Sequence, residues 1–209
     1  MKNIKRIKIN FLTYLFLILF IFSGYKSIVV YISLVFVVHE IGHLFFLIIF
    51  NIEISSFSIY PFGGIIKFYE GINIKFYKSL LINLGGILFQ LILLLLNIIF
   101  FKNSYIKYYN NLFLFINLIP IIPFDGSKLL LLISSKLISY HSSRNIYIFS
   151  SIFLFICLLI YQIKVSSYNI MYLSFIFFKI IDEVKNNQLF IDMSIIKKHL
   201  KNHRKFVIL

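Results

Sequence analysis

The chain has 209 residues, of which 60% are hydrophobic, and it carries a formal net charge of +14. A soluble core of this size does not need so large an apolar fraction, whereas apolar runs of about 18 residues or more are typical of membrane spans. The basic residues lie between the apolar runs and at both ends, where they set topology and meet anionic lipid. They therefore do not indicate a nucleic-acid-binding face. The single cysteine, Cys157, excludes an intramolecular disulfide.

Six apolar runs predict six transmembrane helices. These runs cover roughly residues 9–25, 27–50, 79–101, 105–122, 145–163 and 168–182. The first run follows a basic stretch, as in a signal peptide, but it lacks a small-residue cleavage site, so we expect a retained span. A shorter apolar piece, 127–138, should continue the fourth run after a break at Pro120 and Pro123, because proline removes a backbone donor and kinks a helix. The predicted organisation is a membrane domain over 1–185 and a basic cytoplasmic tail over 186–209.

The distribution of lysine and arginine predicts that both termini lie in the cytoplasm. Over six spans, most basic residues fall on the side of the N-terminus, which begins with Lys2, Lys5 and Arg6, whereas Lys26 and Lys107 fall on the other side. Short loops rich in lysine and arginine stay on the cytoplasmic side of a membrane. We therefore expect a multi-pass protein of a bacterial-type membrane.

The stretch 51–78, between the second and third spans, contains a hairpin signal. β-Branched and aromatic residues flank a turn of sequence Pro61-Phe62-Gly63-Gly64, a pattern typical of two paired strands. The stretch is too apolar for an ordinary solvated loop, so we expect a re-entrant membrane hairpin, with an interfacial loop as the alternative. The predicted fold is an all-α integral membrane protein of about six spans with this β-hairpin between spans two and three.

The second span contains the sequence His39-Glu40-Ile41-Gly42-His43, an H-E-x-x-H pattern. Residues four apart share a face of a helix, so both imidazoles can hold one zinc ion while the glutamate beside them acts as a base. At 1.5 Å per residue, the first histidine lies roughly 18 Å into its span, where an ionisable side chain is costly unless it is paired or used. The alternative is a set of polar residues packed within a helix bundle.

A catalytic zinc needs a third protein ligand and an open fourth position. The chain has seven acidic residues, and only Glu40 and Asp125 occur where the chain should be at membrane depth. Asp125 follows the break at Pro120 and Pro123, where a carboxylate can turn towards a metal instead of lipid. Its alternative role is a helix N-cap.

These two motifs resemble those of the site-2 protease family, the intramembrane zinc metalloproteases. That family carries H-E-x-x-H on one transmembrane helix and an aspartate ligand in an N-x-x-P-x-x-P-x-D-G type segment on another. The matching residues here are His39, Glu40, His43, Asn117, Pro120, Pro123, Asp125 and Gly126. The resemblance implies one Zn²⁺ per chain, with His39, His43 and Asp125 as its ligands and Glu40 as the catalytic general base.

The resemblance also implies substrate-binding residues. Asn117 would lie near the substrate backbone, and Pro120 and Pro123 belong to the same segment. The stretch that contains Phe62, Gly63 and Gly64 resembles the membrane hairpin of the family, which is thought to hold the substrate in extended form. The 83–86 stretch, Asn-Leu-Gly-Gly, resembles a glycine-bearing part of the family core, where small residues allow close helix contact.

Within the family, the six-span plan resembles the sporulation branch. That resemblance implies a membrane-associated protein substrate, a sigma-factor precursor, and membrane partners that inhibit the protease. Many members of that branch carry a C-terminal CBS domain, and we expect none here because the sequence ends at Leu209.

Two other functions fit parts of the pattern. A membrane cation transporter could use the same His, Glu and Asp residues, although a transporter usually spreads such groups along a path through several spans. A membrane zincin of another family would take a glutamate on a later helix as its third ligand, and no glutamate after Glu40 is expected at membrane depth.

Overall fold

The computed structural model describes residues 7–9, 26–52, 54–60, 63–68, 74–165 and 173–185, with a few isolated positions between 11 and 24. Nearly all of the predicted first span and the whole tail, 186–209, lie outside the described residues. The described chain is mostly helical. Its contacts divide it into Met1–Leu118 and Ile119–Leu209.

The continuous described stretches of the first part form three helices and three strands. In chain order they are β1 (Ile7–Ile9), α1 (Lys26–Ile49), β2 (Ile54–Tyr60), β3 (Gly63–Phe68), α2 (Phe76–Leu96) and α3 (Ser104–Leu118). Helix α2 continues into a π-helical turn, Asn97–Phe101, and ends at Lys102, which has a left-handed backbone with φ 48°. Helix α1 packs mainly against α2, and α3 packs against both.

The strands form one small sheet in the order β1-β2-β3. Strands β2 and β3 are antiparallel, with Tyr60 opposite Gly63, and β1 lies parallel to β2 on its other side. These strands fall within the stretch for which the sequence indicates a hairpin, but a re-entrant position in a membrane stays a prediction. The parallel pairing of β1 is a correction to the predicted all-α fold, since the basic N-terminal segment gave no strand signal.

Three helices in the described part of the chain are long and apolar enough to cross a membrane. They are Ser27–Ile49, Phe76–Phe101 and Tyr140–Gln162. Large apolar side chains on them remain exposed, for example Phe100 at 70% and Phe153 at 57%, as expected of side chains that face lipid. The chain is an integral membrane protein. The total of six spans stays a prediction.

The fourth apolar run is helical over a shorter length than predicted. Helix α3 ends at Leu118 instead of continuing to residue 122, because the segment that follows contains Pro120 and Pro123. The Ile122–Pro123 peptide bond is cis. At 15 residues, α3 is shorter than the roughly 20 residues that a helix needs to span a bilayer.

The second part contains α4 (Asp125–Leu137), α5 (Tyr140–Val165) and a helix over 173–185, here α6. Helix α4 packs against α5. The backbone N–H of Ile122 donates to Ser151 Oγ at 3.2 Å, which ties the segment before α4 to α5. An ion pair of 2.9 Å between Arg144 and Glu183 joins α5 to α6.

Helices α1 and α2 approach closely at two glycines. A Cβ atom added to Gly42 would clash with the backbone carbonyl of Gly85, and one added to Gly85 would clash with the carbonyl of Gly42. Buried apolar side chains pack on both sides of this contact, with Leu47 and Ile82 in one cluster and Val35 in another. Small residues allow this approach, because lipid supplies no hydrophobic driving force between helices and their dispersion contacts depend on distance.

We expect Gly42→Ala to destabilise the protein. The added methyl group must push α1 and α2 apart, and overpacking of this kind costs roughly 1–3 kcal/mol. Alanine gains only about 1 kcal/mol in helix propensity. Thermal unfolding in detergent micelles should show a lower midpoint for this variant, whereas Ile41→Ala, which truncates an exposed neighbour, should change the midpoint little. A midpoint for Gly42→Ala at or above that of the wild type would contradict the close contact.

Candidate metal centre

Helix α1 places two histidines and a glutamate in a buried position. His39, Glu40 and His43 are exposed by only 4%, 8% and 7%. One helical turn separates the two histidines, so their rings lie on the same face with centroids 4.7 Å apart. Their Nε2 atoms face each other at 3.0 Å.

The Nδ1 atoms of both histidines are bound to acceptors on α2. His43 Nδ1 lies 2.7 Å from the backbone carbonyl oxygen of Ile82, and His39 Nδ1 lies 3.2 Å from Gln90 Oε1. A carbonyl oxygen only accepts, so Nδ1 is the protonated nitrogen of each neutral ring and Nε2 keeps its lone pair. Metal-ligating histidines almost always donate their other ring N–H in this way.

The two Nε2 lone pairs therefore face the same point. A hydrogen bond between them would need an extra proton and thus a buried cationic ring, which is costly. Zn–N distances are about 2.0–2.1 Å, so two nitrogens on one ion lie at most about 4 Å apart. The observed separation of 3.0 Å meets this limit, and the donor pair fits a shared metal ion.

The ring of His39 is confined by its neighbours. A Cβ atom added to Gly86 would overlap the Cε1 and Nδ1 atoms of this ring, so only glycine leaves room for it. The ring of Phe113, on α3, lies edge-on at a centroid distance of 5.3 Å. Glycine and phenylalanine together restrict the imidazole to one orientation.

Asp125 is the first residue of α4 and is 3% exposed. The residue in the N-cap position is Phe124, and no side chain caps this helix. The alternative in which Asp125 serves as the N-cap is therefore not supported. Its Oδ1 accepts from Lys128 Nζ at 3.0 Å, and a carboxylate in the first turn is also favoured by the helix dipole.

Among the described residues, His39, His43 and Asp125 are buried, and each offers one ligand atom that could bind a metal ion. Two imidazoles and one carboxylate, with a position left open, are a donor set found at catalytic zinc sites. The assignment of these residues as zinc ligands, with Glu40 beside them as base, stays a prediction.

The structure describes all but one of the predicted substrate-binding residues. Asn117 is buried near the end of α3, and its Nδ2 donates to the backbone oxygen of Phe113 at 3.1 Å. Pro120 and Pro123 lie in the non-helical segment between α3 and α4. Gly63 and Gly64 begin β3, while Phe62 lies outside the described residues. Their roles towards a substrate stay predictions.

Sequence reasoning missed the acceptors that orient the histidines. Ile82 acts through its backbone, which no sequence pattern marks. Gln90 did give a signal, since it is a polar side chain inside an apolar run, and such residues at membrane depth are usually functional or paired.

Comparisons with known proteins find one similar sequence and one similar solved structure that are relevant to the candidate metal centre. No protein-family model matches the chain. The chain is 28% identical, over 146 residues, to stage IV sporulation protein FB of Bacillus subtilis (strain 168), a match that covers 66% of this chain and 50% of the relative. The chain thus spans about half the length of that curated relative. The solved structure of the site-2 protease from Methanocaldococcus jannaschii aligns with a TM-score of 0.66 at 21% identity, covering 88% of this chain and 93% of the other.

The chain is similar to the site-2 proteases in fold, as the structural alignment shows. These comparisons do not favour a cation transporter.

We expect the purified protein to contain about one zinc ion, and His39→Ala or His43→Ala to remove most of it. Each substitution deletes one of the three ligands proposed for the ion. Metal content, measured by mass spectrometry after dialysis, tests this. His141→Ala is the matched control, because His141 is exposed and lies outside the metal-compatible group. Full zinc retention in the double variant of His39 and His43 would overturn the assignment.

Proposed function

We propose that this chain is a member of the site-2 protease family and an intramembrane zinc metalloprotease that hydrolyses peptide bonds of a membrane-associated protein. The observation that carries the proposal is the pair of Nε2 lone pairs 3.0 Å apart, each set by an Nδ1–H that donates to α2. This arrangement suits a shared cation. Asp125 is proposed as the third ligand.

Zinc bound by His39, His43 and Asp125 would polarise the scissile carbonyl and lower the pKa of water at the open position. Glu40 is the proposed general base, since it neighbours His39 on α1 and is buried. Its carboxylate takes the proton of the attacking water and then passes it to the leaving amine. Peptide hydrolysis needs both transfers, and one carboxylate can perform them in turn.

The apolar surroundings strengthen the electrostatic part of this reaction. The ring of Phe113 lies against His39, and Val38 and Val35 belong to the apolar cluster beside it. Charges interact more strongly where water is excluded, so a preorganised base and cation stabilise the developing charge better than they would in water.

The proposed substrate is a membrane-associated protein, and a sigma-factor precursor is the specific candidate, with membrane proteins as inhibitory partners. Asn117 is proposed to hold the substrate backbone, together with the segment of Pro120 and Pro123. Within the described residues β3 is an edge strand, and an extended peptide can add to such an edge. Gly63 and Gly64, at the start of that strand, would then contact the substrate, and Phe62 is proposed as a further substrate-binding residue.

Glu40→Gln should abolish cleavage while leaving the metal in place. Glutamine preserves size and hydrogen bonding but cannot accept the proton, so the rate should fall by at least roughly 100- to 10,000-fold. The assay is co-expression with a sigma-factor precursor, or incubation in detergent, followed by fragment detection and zinc analysis. The control is Asp182→Asn, which makes the same carboxylate-to-amide change at an exposed position of α6.

Cleavage by Glu40→Gln at a near wild-type rate would refute the proposed mechanism. A cation transporter gives a different result, because the same change would alter ion flux in vesicles and the wild type would produce no Glu40-dependent fragment. Loss of zinc from Glu40→Gln would also count against the role assigned to this residue, since it is not a proposed ligand.

The proposed topology has six spans with both termini in the cytoplasm. The 51–78 stretch would lie on the same side as the termini, because the positive-inside rule places the lysine-rich segments there. Reporter fusions or single-cysteine accessibility at Lys26 and Lys107 should report the opposite face. A cytoplasmic signal at Lys107 would contradict the six-span arrangement.

A further inference from the structure

Gln90 is a polar residue at a depth where such residues are costly. It lies within the apolar sequence of α2 and is fully buried. An amide without hydrogen bonds is much less stable in an apolar environment than in water. The side chain is therefore expected to have a specific partner.

That partner is His39. Gln90 Oε1 lies 3.2 Å from His39 Nδ1, and the Nε2 atom of Gln90 has no hydrogen-bond partner among the described residues. The only described hydrogen bond of the side-chain amide is thus the one that reaches a proposed metal ligand. If Gln90 served only helix packing, its side-chain N–H groups would be expected to donate hydrogen bonds as well.

The backbone of Gln90 is held separately by α3. Asn110, which is also fully buried, donates from Nδ2 to the backbone oxygen of Gln90 at 3.0 Å. This bond joins α3 to α2 at the residue that contacts His39. The bond from Asn110 holds the backbone of Gln90 in place. The side-chain oxygen of Gln90 is therefore held within hydrogen-bond distance of His39 Nδ1.

The two histidines differ in how their orientation is secured. His43 donates to the backbone oxygen of Ile82, an acceptor that survives any side-chain substitution. His39 donates to a side chain, so its tautomer can be changed by mutation without touching the ring itself. If Nδ1 of His39 lost its acceptor, the proton could move to Nε2 and remove the lone pair that faces His43.

We propose that Gln90 is a positioning residue for the metal centre, which holds His39 in the Nδ1–H tautomer and keeps its Nε2 directed at the point shared with His43. Asn110 supports it by fixing the backbone of Gln90. The role rests on the proposed metalloprotease function and extends it to residues outside the H-E-x-x-H and N-x-x-P-x-x-P-x-D-G motifs. A neutral amide performs this role without adding a further charge at membrane depth.

The test compares metal affinity in three Gln90 variants of the full chain. Gln90→Met is similar in length but has no strong acceptor, Gln90→Asn keeps a buried amide that is one methylene too short, and Gln90→Glu keeps an acceptor at the same distance. Loss of an outer-shell partner of a metal ligand typically costs 10–100-fold in metal affinity. We expect a loss of roughly that size in the Met and Asn variants and only a few-fold change in the Glu variant.

Metal affinity is measured by titrating the purified protein in detergent with Co²⁺ against a chelator, with the visible absorption of bound Co²⁺ as the signal. The control is Asn97→Leu, which removes another buried amide from the continuation of the same helix. Asn97 bonds to Asn103 and not to a histidine. The control should bind Co²⁺ as the wild type does, even if its unfolding midpoint falls.

The outcomes separate this inference from the proposed function. Wild-type affinity in both Gln90→Met and Gln90→Asn would overturn the positioning role while leaving the metalloprotease proposal intact. An equal loss in Asn97→Leu would also overturn it, because a buried amide would then matter only for folding. Absence of Co²⁺ binding by the wild type would refute the proposed function itself. If Gln90→Met fails to fold, the Asn and Glu variants still decide the question.

Discussion

The close contact between α1 and α2 determines where the candidate metal centre can form. Gly42 meets Gly85 backbone to backbone, and Gly86 leaves the space that the ring of His39 occupies. The same contact brings the acceptors of α2 within reach of both imidazoles. The packing of α1 against α2 and the orientation of the two histidines therefore depend on the same contact. A side chain added at this contact would change both.

The polar groups near this contact are buried in a chain that is mostly apolar, and most have an identified partner. His43 donates to a backbone carbonyl and His39 to an amide oxygen, while Asn110 donates to the carbonyl of Gln90. Each bond lowers the cost of burying its donor. The Nε2 atoms of the two histidines lie 3.0 Å apart, and two nitrogen lone pairs at this distance suit a shared cation.

Sequence patterns predict features within one helix better than contacts between helices. The spacing of His39 and His43 implied a shared helix face, and the apolar runs at 27–50, 79–101 and 145–163 correspond to the three membrane-capable helices. Hydropathy indicates which residues lie at membrane depth, but it does not indicate which side chains form hydrogen bonds. The bond from His39 to Gln90 could therefore not be predicted from it. Hydropathy also could not predict the pairing of β1 with β2, because pairing between distant strands depends on tertiary contacts.

The charges of the proposed site explain why a neutral side chain supports His39. Two neutral imidazoles add no charge, so a neutral acceptor leaves the charge of the histidine pair unchanged. Water-soluble zinc sites often use a carboxylate to orient a ligating histidine. A further charge at membrane depth is expensive, and glutamine supplies the acceptor for His39 without adding one.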